Sequence, residues 1–473
     1  MELNRHNIML ALVAFVMIQP IIDVLTTASL LFIDLPLTLG VIIRLAYLAV
    51  MAVWIVNESR KSKRARLYLL YLAGLAAFVI INFIVGYTVK EPFYLVQELT
   101  YYTKVVYFHV LLFGFILLLE ALHKEDGSDT ARQLINYFLI ASLTISVVFI
   151  IAHLTGTSMA NYARSKQGWT GWFYAGNEVG ASMSILLPIT AMFAVYKTTT
   201  TRKLLHWLPF VLLSASMLAL GTKVGYGGIL IVLLSIFFGS LLLLLTTKEY
   251  PARQRVKANS FVSLILLIVL VVSTPFTPVF GNMYAHLDIL GISLEKPQVE
   301  LDENGDEIPL DGEEENDEPL INAEQFENLV FSSRETYKAN FVEQFKDAPI
   351  SQKLFGMGFA GNYDAPQPHK PLKMIEMDFH DWFFSFGILG FIYMVAPIVW
   401  FAGRFIVILV SNLKENFNYF SILTGVAFLV GIGIAYTAGH TLTAPSVSVW
   451  LAFLLAAVTV VSQNRRIKPE LDL

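Results

Sequence analysis

The sequence predicts an all-α polytopic membrane protein, on the strength of its composition and the length of its apolar runs. Hydrophobic residues make up 56% of the 473 positions and charged residues only 15%, with a mean hydropathy of +0.61. An average soluble protein is about 45–50% apolar and about 25% charged, so a water-soluble fold would expose much of this apolar surplus. The apolar residues also fall into runs of about 20, the length at which a helix crosses a bilayer.

Charge and cysteine content exclude several classes of function. The formal net charge is −4, so there is no surplus of Lys and Arg to neutralise the phosphates of a nucleic acid. The chain has no cysteine, which excludes disulfides, thiolate nucleophiles, Cys-ligated zinc and iron–sulfur clusters. It also has no Walker-type phosphate loop, so any ATP hydrolysis would have to come from a partner.

Twelve apolar runs are long enough to be membrane-spanning helices. They lie at 8–32, 36–56, 67–86, 101–121, 133–155, 176–196, 204–221, 225–246, 259–279, 381–402, 419–438 and 446–462. Only Arg5 precedes the first run as a basic residue and no small-residue cleavage pattern follows it, so we expect a retained helix and not a signal peptide. Lys and Arg concentrate in alternate connections, such as 60–66 and 248–257. Because basic loops stay in the cytoplasm, the sequence predicts twelve spans with both termini cytoplasmic.

This topology divides the chain into three parts. Residues 1–280 carry helices 1–9, residues 281–379 form one large extracytoplasmic loop, and residues 380–473 carry helices 10–12 and a cytoplasmic tail. Within the loop, 295–318 contains twelve acidic residues and one Lys, a composition that we expect to be mobile. Residues 323–355 place apolar side chains at spacings of three, four and seven, which is typical of an amphipathic helix.

Charged residues within or beside the apolar runs are candidate functional residues, because ionised groups are costly near lipid. Asp23 and Arg44 fall within spans one and two at depths that would let them pair, and we interpret them as structural packing. Arg164 lies in the external loop before span six, which Asn177 opens. Its side chain could bind an anion or could simply be solvated.

Lys223 is the only charged residue in 208–247 and lies among glycines at the external turn between spans seven and eight. Glycines let the backbone approach closely and leave room for a ligand. The alternative interpretation is a lysine that reaches the membrane surface from a tight hairpin.

Arg334 and His380 lie at the two ends of the second half of the outer loop. Arg334 could hold a phosphate through two parallel hydrogen bonds, or it could be an ordinary solvated charge on a helix. His380 is flanked by Glu376 and Asp378 where the chain re-enters the membrane. A histidine beside a carboxylate can act as a general base, because the anion orients its ring and keeps its pKa near the working pH. The alternative is an ordinary histidine at the membrane interface.

Three places in the chain resemble motifs of the O-antigen ligase and polymerase superfamily. These are polytopic bacterial enzymes that move glycans from an undecaprenyl-diphosphate carrier to an acceptor. The first place runs from Arg164 to Asn177. The second is 220–225 (LGTKVG), where Lys223 stands in place of the family's usual Arg.

The third place has the most specific order and spacing. It comprises Arg334, the run 355–359 (FGMGF), and His380 followed by 387–390 (GILG), with Asp381 where Asn is common in the family. The twelve spans, with the long loop between spans nine and ten, extend the resemblance over most of the chain.

The resemblance implies a membrane glycosyltransferase of GT-C-like fold in the bacterial plasma membrane, with its active site facing outside the cytoplasm. The donor would be an undecaprenyl-diphosphate-linked glycan and the acceptor a glycan or lipid. Other polysaccharide-assembly membrane proteins are candidate partners. O-antigen, capsule and teichuronic-type wall polymers remain open as products, as does the choice between ligase and polymerase.

The resemblance also implies a role for each candidate residue. His380 would accept the proton of the attacking sugar hydroxyl, oriented by Glu376 or Asp378. Arg334 and Lys223 would hold the diphosphate and offset the charge on the leaving group. The candidate substrate-binding residues are Arg164, Asn177, Glu376 and Asp378. Neither a metal nor a cofactor is expected, because the cationic side chains take over the metal's role.

The main alternative is a polytopic transporter or flippase for a lipid-linked or soluble substrate. Such proteins often have two similar halves and charges near the bilayer midplane. Here the halves are unequal and the notable charges lie at the outer face. The sequence therefore favours glycosyl transfer.

Overall fold

The computed structural model describes residues 5–33, 37–127, 129–162, 167–200, 204–289, 300–301, 307–308, 334–363, 372–463 and 467. The helices of the first half are Arg5–Ala14 (α1), Gln19–Phe32 (α2), Leu39–Ser59 (α3), Lys63–Val89 (α4), Leu95–Asp126 (α5), Thr130–Leu154 (α6), Gly176–Lys197 (α7), Leu208–Leu220 (α8) and Lys223–Thr246 (α9). Those of the second half are Tyr250–Ser273 (α10), Pro278–Ile289 (α11), Arg334–Asp347 (α12), Ile350–Phe355 (α13), Asp378–Ser411 (α14), Leu413–Asn416 (α15), Tyr419–Thr437 (α16) and Pro445–Val461 (α17). Short 3₁₀ turns lie at Phe15–Ile18, Leu204–Trp207 and Thr274–Phe276.

The described residues confirm the all-α polytopic fold. All twelve apolar runs predicted as spans coincide with helices. Among the described residues, ten helical segments are long and apolar enough to cross a membrane. The other two, Leu204–Leu220 and Pro445–Val461, are apolar but shorter. A helix of 17 residues, the length of Pro445–Val461, reaches about 25 Å, slightly less than the roughly 30 Å of a bilayer core.

Three helices form the centre of the bundle. Nearly all of α17 and most of α5 and α7 are buried by other helices, and α17 packs directly on α5 and α7. By contrast, α4 turns most of its surface outward, as a lipid-facing helix would. The predicted pair of Asp23 and Arg44 is present, with Arg44 Nη2 2.5 Å from Asp23 Oδ1. This ion pair joins α2 to α3.

The first turns of α7, α9, α14 and α17 lie at one end of the bundle. Ser446, at the start of α17, donates a hydrogen bond to Glu178 in the first turn of α7. Asp378, the first residue of α14, binds the chain just before α17. Gly180, near the start of α7, packs against the side chain of Leu220 just before α9. We call this end the site end.

Helix α14 is kinked at Gly387, which has a φ of +66° and a non-helical ψ. The kink leaves carbonyl groups in the first turns of α14 without intrahelical partners. The glycine-rich segment after α13, residues 356–361, donates hydrogen bonds to two of these carbonyls. Met357 N–H donates to the Phe384 carbonyl and Gly358 N–H to the Ser385 carbonyl, both at 2.9 Å. A Cβ on Gly387 would lie 2.6 Å from the Gly356 nitrogen, so this contact requires glycine.

The outer segment, residues 334–363, contains two helices where the sequence predicts one amphipathic helix over 323–355. Helix α12 ends at Asp347 and α13 begins at Ile350, because Pro349 cannot continue a helix and instead precedes the new one. Phe341, Met357 and Phe384 share a small hydrophobic cluster that holds the segment on the first turns of α14. The first part of the predicted helix, 323–333, lies outside the described residues.

Of the acidic stretch 295–318, only four residues are described. Glu300–Leu301 (β1) pairs antiparallel with Glu307–Ile308 (β2). The rest of the stretch lies outside the described residues, and its predicted mobility stays a prediction. The same holds for the proposed domain limits at 280 and 379.

Candidate active site

His380 lies in the first turn of α14 at the site end. Its side chain is half-buried, and its ring centre is 5.5 Å from that of Tyr436, in the last turn of α16. The buried Nδ1 of His380 has no hydrogen-bond partner among the described residues. Lys338 and Glu335, which form an ion pair on α12 at 2.9 Å, act on it electrostatically. One ring nitrogen of His380 is therefore not engaged by any described residue.

Asp378, which the sequence analysis named with Glu376 as a residue that could orient His380, makes its hydrogen bonds to other groups. Its buried carboxylate accepts hydrogen bonds from the backbone N–H groups of His440, Thr441 and Leu442 at 2.7–3.1 Å. It also accepts one from Thr443 Oγ1 at 2.6 Å. These four bonds use the carboxylate to hold the turn between α16 and α17 against the start of α14. The role of Asp378 in this geometry is structural.

Glu376 likewise faces other partners than His380. Its Oε2 atom lies 3.5 Å from Arg334 Nη2 and 3.9 Å from His440 Nε2. One carboxylate oxygen therefore lies between a guanidinium and an imidazole from two different segments of the chain. The structure thus brings together two of the predicted residues, Arg334 and Glu376, and adds His440, which sequence reasoning missed.

The backbone around this contact is unusual. Glu376 and His440 both have positive φ, +64° and +61°, a region that residues other than glycine seldom adopt. A Cβ on Gly439 would clash with the carbonyl of Glu376, so the two segments touch backbone to backbone. Residues held in such conformations cluster at active sites and ligand clamps.

The contact also shifts the ionisation of both partners. Burial alone would lower the pKa of His440, but contact with Glu376 and the nearby carboxylates of Asp378 and Glu178 outweigh it and raise the pKa above 6.5. The contact with His440 and the charges of Arg334 and Lys373 lower the pKa of Glu376 despite its partial burial. Each partner therefore favours the charged form of the other.

Lys223 is the first residue of α9 and is half-buried at the site end. Thr222 caps this helix by accepting a hydrogen bond from Gly225 N–H. Gly221 has a φ of +76°, and its carbonyl accepts a hydrogen bond from Asn282 Nδ2 at 2.8 Å. Asn282 also bonds the backbone N–H and carbonyl of Gln167. This side chain, in α11, was not singled out from the sequence, yet it ties the loop after Arg164 to the Lys223 turn.

Two of the predicted site residues remain, Arg164 and Asn177. Arg164 lies outside the described residues, although Gln167 follows it closely. Asn177 is exposed in the first turn of α7, beside Glu178. Within the described part of the chain, no three His, Asp or Glu side chains come together in a group that could hold a metal ion.

Comparison with known proteins gives one match. A family model described as "O-antigen ligase like membrane protein" matches residues 6–464. No curated protein and no solved structure matches the chain.

Proposed function

The chain belongs to the family of O-antigen ligase-like membrane proteins, and on that premise we propose that it is a glycosyltransferase acting on an undecaprenyl-diphosphate-linked glycan. Membership supports a membrane role in cell-surface glycan assembly. The finer proposal is that the protein lies in the bacterial plasma membrane with both termini cytoplasmic. The site end, with Arg334 and His380, then faces outside the cytoplasm.

The observation that carries the proposal is the position of His380. It lies at the site end of α14, half-buried, with Nδ1 free of hydrogen bonds to other described residues. The charges of Lys338 and Glu335 on α12 act on it, and Glu376, which pairs with Arg334, precedes it in the chain. A general base needs a neutral nitrogen within reach of the proton that it takes. We propose that His380 accepts the proton of the attacking hydroxyl group.

The reaction balances without a further reactant. The hydroxyl oxygen of the acceptor forms a bond to the anomeric carbon of the donor sugar, and the bond from that carbon to the diphosphate oxygen breaks. The hydroxyl proton moves to His380 and the lipid diphosphate leaves with the electron pair. The donor's own phosphoester bond supplies the energy, so no nucleotide is required.

Positive charge at the site end would stabilise the leaving group. Arg334 presents a planar fork that matches phosphate oxygens, and Lys223 adds a point charge from the start of α9. We include Arg164 in this set, with Asn177 as a further substrate-binding residue. Preorganised cations directed at developing charge usually make the largest contribution to such catalysis, and we propose that here they replace a metal ion.

Since Asp378 holds the backbone of the α16–α17 turn and Glu376 faces Arg334 and His440, neither is proposed to orient His380. The first turn of α14 and the ring of Tyr436 instead define the position of the imidazole. Glu376 then belongs to the binding site through Arg334. Asp378 stabilises that site by holding the turn 440–443 against the start of α14.

The experiment is a transfer assay with the purified protein in detergent. The wild type, His380→Gln and His153→Gln receive an undecaprenyl-diphosphate-linked oligosaccharide and candidate acceptors, with EDTA and without nucleotide. His153, in the last turn of α6, packs its ring near Trp169 and is a matched histidine with no role in the proposed mechanism. We expect the wild type and His153→Gln to release lipid diphosphate, and His380→Gln to be slowed at least about 100-fold, within the 10²–10⁴ that general acid–base catalysis contributes.

The product distinguishes the remaining possibilities. Longer glycans indicate a polymerase and a glycosylated acceptor indicates a ligase. Full activity of His380→Gln would refute the assignment of the base. An intact donor, together with movement of a lipid-linked substrate across liposomes, would support a transporter instead.

A further inference from the structure

His440 lies at the site end in the turn between α16 and α17, and nothing in the mechanism above uses its side chain. The imidazole is 28% exposed, so it is accessible from the site. Asp378 binds the backbone N–H of His440 and of the next two residues, and none of these bonds involves the imidazole. The turn is therefore held without the His440 side chain, which leaves that side chain available for another role.

The charges around His440 come from each segment packed against it. Glu376 precedes α14, Asp378 and Asp381 are on α14, and Glu178 is on α7. Arg334, on α12, lies on the other side of Glu376. The carboxylates of Glu376, Asp378 and Glu178 favour the protonated imidazole, even though burial opposes it. The cations Arg334 and Lys373 act on Glu376.

The geometry also shows what kind of group this cation can hold. Glu376 Oε2 lies 3.9 Å from His440 Nε2 and 3.5 Å from Arg334 Nη2. The carboxylate is 36% exposed and is the most accessible of the three side chains. A position where one anionic oxygen lies between an imidazolium and a guanidinium suits a phosphate oxygen equally well.

We propose that His440 is a further substrate-binding residue, which pairs with Arg334 to contact the diphosphate of a prenyl-diphosphate-linked donor. This inference rests on the proposed function and names a residue of the same site. His440 takes no proton from the acceptor, because that proton goes to His380. It donates a hydrogen bond to an oxygen of the diphosphate as the bond to the sugar breaks, and so offsets the charge of the leaving group.

The proposal has a pH signature of definite sign. Because the pKa of His440 is raised above 6.5, the imidazolium is present below that raised value and is lost as the pH rises through it. Binding of a prenyl diphosphate should therefore weaken from pH 6.0 to pH 8.5. A phosphate itself gains charge over this range, with a pKa of about 6, so attraction to a fixed cation such as Arg334 would strengthen instead.

The test measures binding of farnesyl diphosphate to the detergent-purified protein at pH 6.0 and 8.5, alongside the pH profile of turnover. His440→Asn is the main variant, because Asn tolerates positive φ but carries no charge. His440→Lys keeps a positive charge up to high pH, and His153→Asn is the matched control. Thermal unfolding of each variant without ligand verifies that it is folded.

We expect wild type and His153→Asn to bind roughly tenfold more weakly at pH 8.5 than at pH 6.0, which corresponds to about 1.4 kcal/mol. His440→Asn should bind at pH 8.5 as weakly as the wild type does at that pH, and no more tightly at pH 6.0, where the phosphate carries less charge. His440→Lys should restore binding at pH 8.5, and in turnover it should move the alkaline loss of activity to higher pH.

Two results would overturn the inference. One is a wild-type affinity for farnesyl diphosphate that stays constant or rises with pH. This measurement does not depend on the folding of any variant. The other is a folded His440→Asn with wild-type affinity and pH profile, while the wild type still turns over donor; this leaves the proposed function intact. If the wild type neither binds farnesyl diphosphate nor consumes donor at any pH, the proposed function itself fails.

Discussion

Asp378 and Asp381 each use both carboxylate oxygens to bind backbone or hydroxyl groups. Asp381 accepts hydrogen bonds from the backbone N–H groups of Ile375 and Met377 at 2.9 and 3.1 Å, and Asp378 holds the chain before α17. The segment 375–377 and the turn 440–443 are thus both fixed to the first turn of α14. The positions of Glu376 and His440 follow from these two acids.

Asp378→Asn is expected to destabilise the protein by about 1–3 kcal/mol, because an amide NH₂ group cannot accept from the N–H groups that face it and leaves them unsatisfied. Thermal unfolding in detergent measures the loss. Thr443→Val is the matched control, since it removes only the single hydroxyl bond to Asp378 and should cost less. An unchanged unfolding temperature for Asp378→Asn would contradict this structural role.

The sequence predicted part of the site and missed a part for a physical reason. Glu376 and His380 are ionisable groups beside an apolar run, so they are visible as costly groups near lipid. Arg334 was visible through the motif of the outer loop. His440 stands in a short polar turn between two apolar helices and meets Glu376 only through the folding of α14 against α17. The φ of +65° at its neighbour Gly439 could not be predicted from the sequence alone.

Among the elements, the glycine-rich segment after α13 is anchored to α4 and α5 by a buried ion pair. Lys90 Nζ lies 2.6 Å from Glu98 Oε1 and 2.8 Å from the Phe359 carbonyl. Glu98 Oε2 accepts from Phe359 N–H at 2.8 Å. Both charged side chains are only 1% exposed. The outer segment is therefore fixed to the bundle on the side of α4 and α5 as well as on α14.

Lys90→Met should cost about 3–5 kcal/mol, because it leaves Glu98 as an uncompensated buried charge. Lys90→Met with Glu98→Gln should recover part of this loss, since the neutral amide still accepts from Phe359. Thermal unfolding compares these variants with Lys61→Met, which breaks the exposed Lys61–Glu58 pair and should change stability by about 0–1 kcal/mol. A loss no larger for Lys90→Met than for Lys61→Met would show that the anchor is dispensable.

At the scale of the whole molecule, the twelve apolar runs predict where helices lie, because helix length and hydropathy are local properties. Which helices become neighbours is not local. The central position of α17 on α5 and α7, and the short helix α11 with Asn282, arise from contacts that no run of residues displays. The break at Pro349 could have been read from the sequence, but our prediction rested on the apolar spacing that precedes it and extended the helix past it.

The orientation of the chain can be tested directly, because it contains no cysteine. Lys346→Cys, exposed on α12, and Lys61→Cys, exposed between α3 and α4, each introduce a single thiol. A membrane-impermeant maleimide added to intact cells should label Lys346→Cys and not Lys61→Cys. Lysed cells, where both should react, provide the control. The reverse pattern would place the site end in the cytoplasm.

The close approach of Gly356 to Gly387 has a consequence for protein engineering. Because the backbone of the outer segment fits into the kink of α14, a substitution that changes the shape of one surface is expected to require a matching change in the other. A chimaera that exchanges only 334–363 with a relative would combine two surfaces that do not fit each other. Breakpoints placed beyond the kink, so that the graft also carries 372–390, would keep the Gly356–Gly387 contact intact.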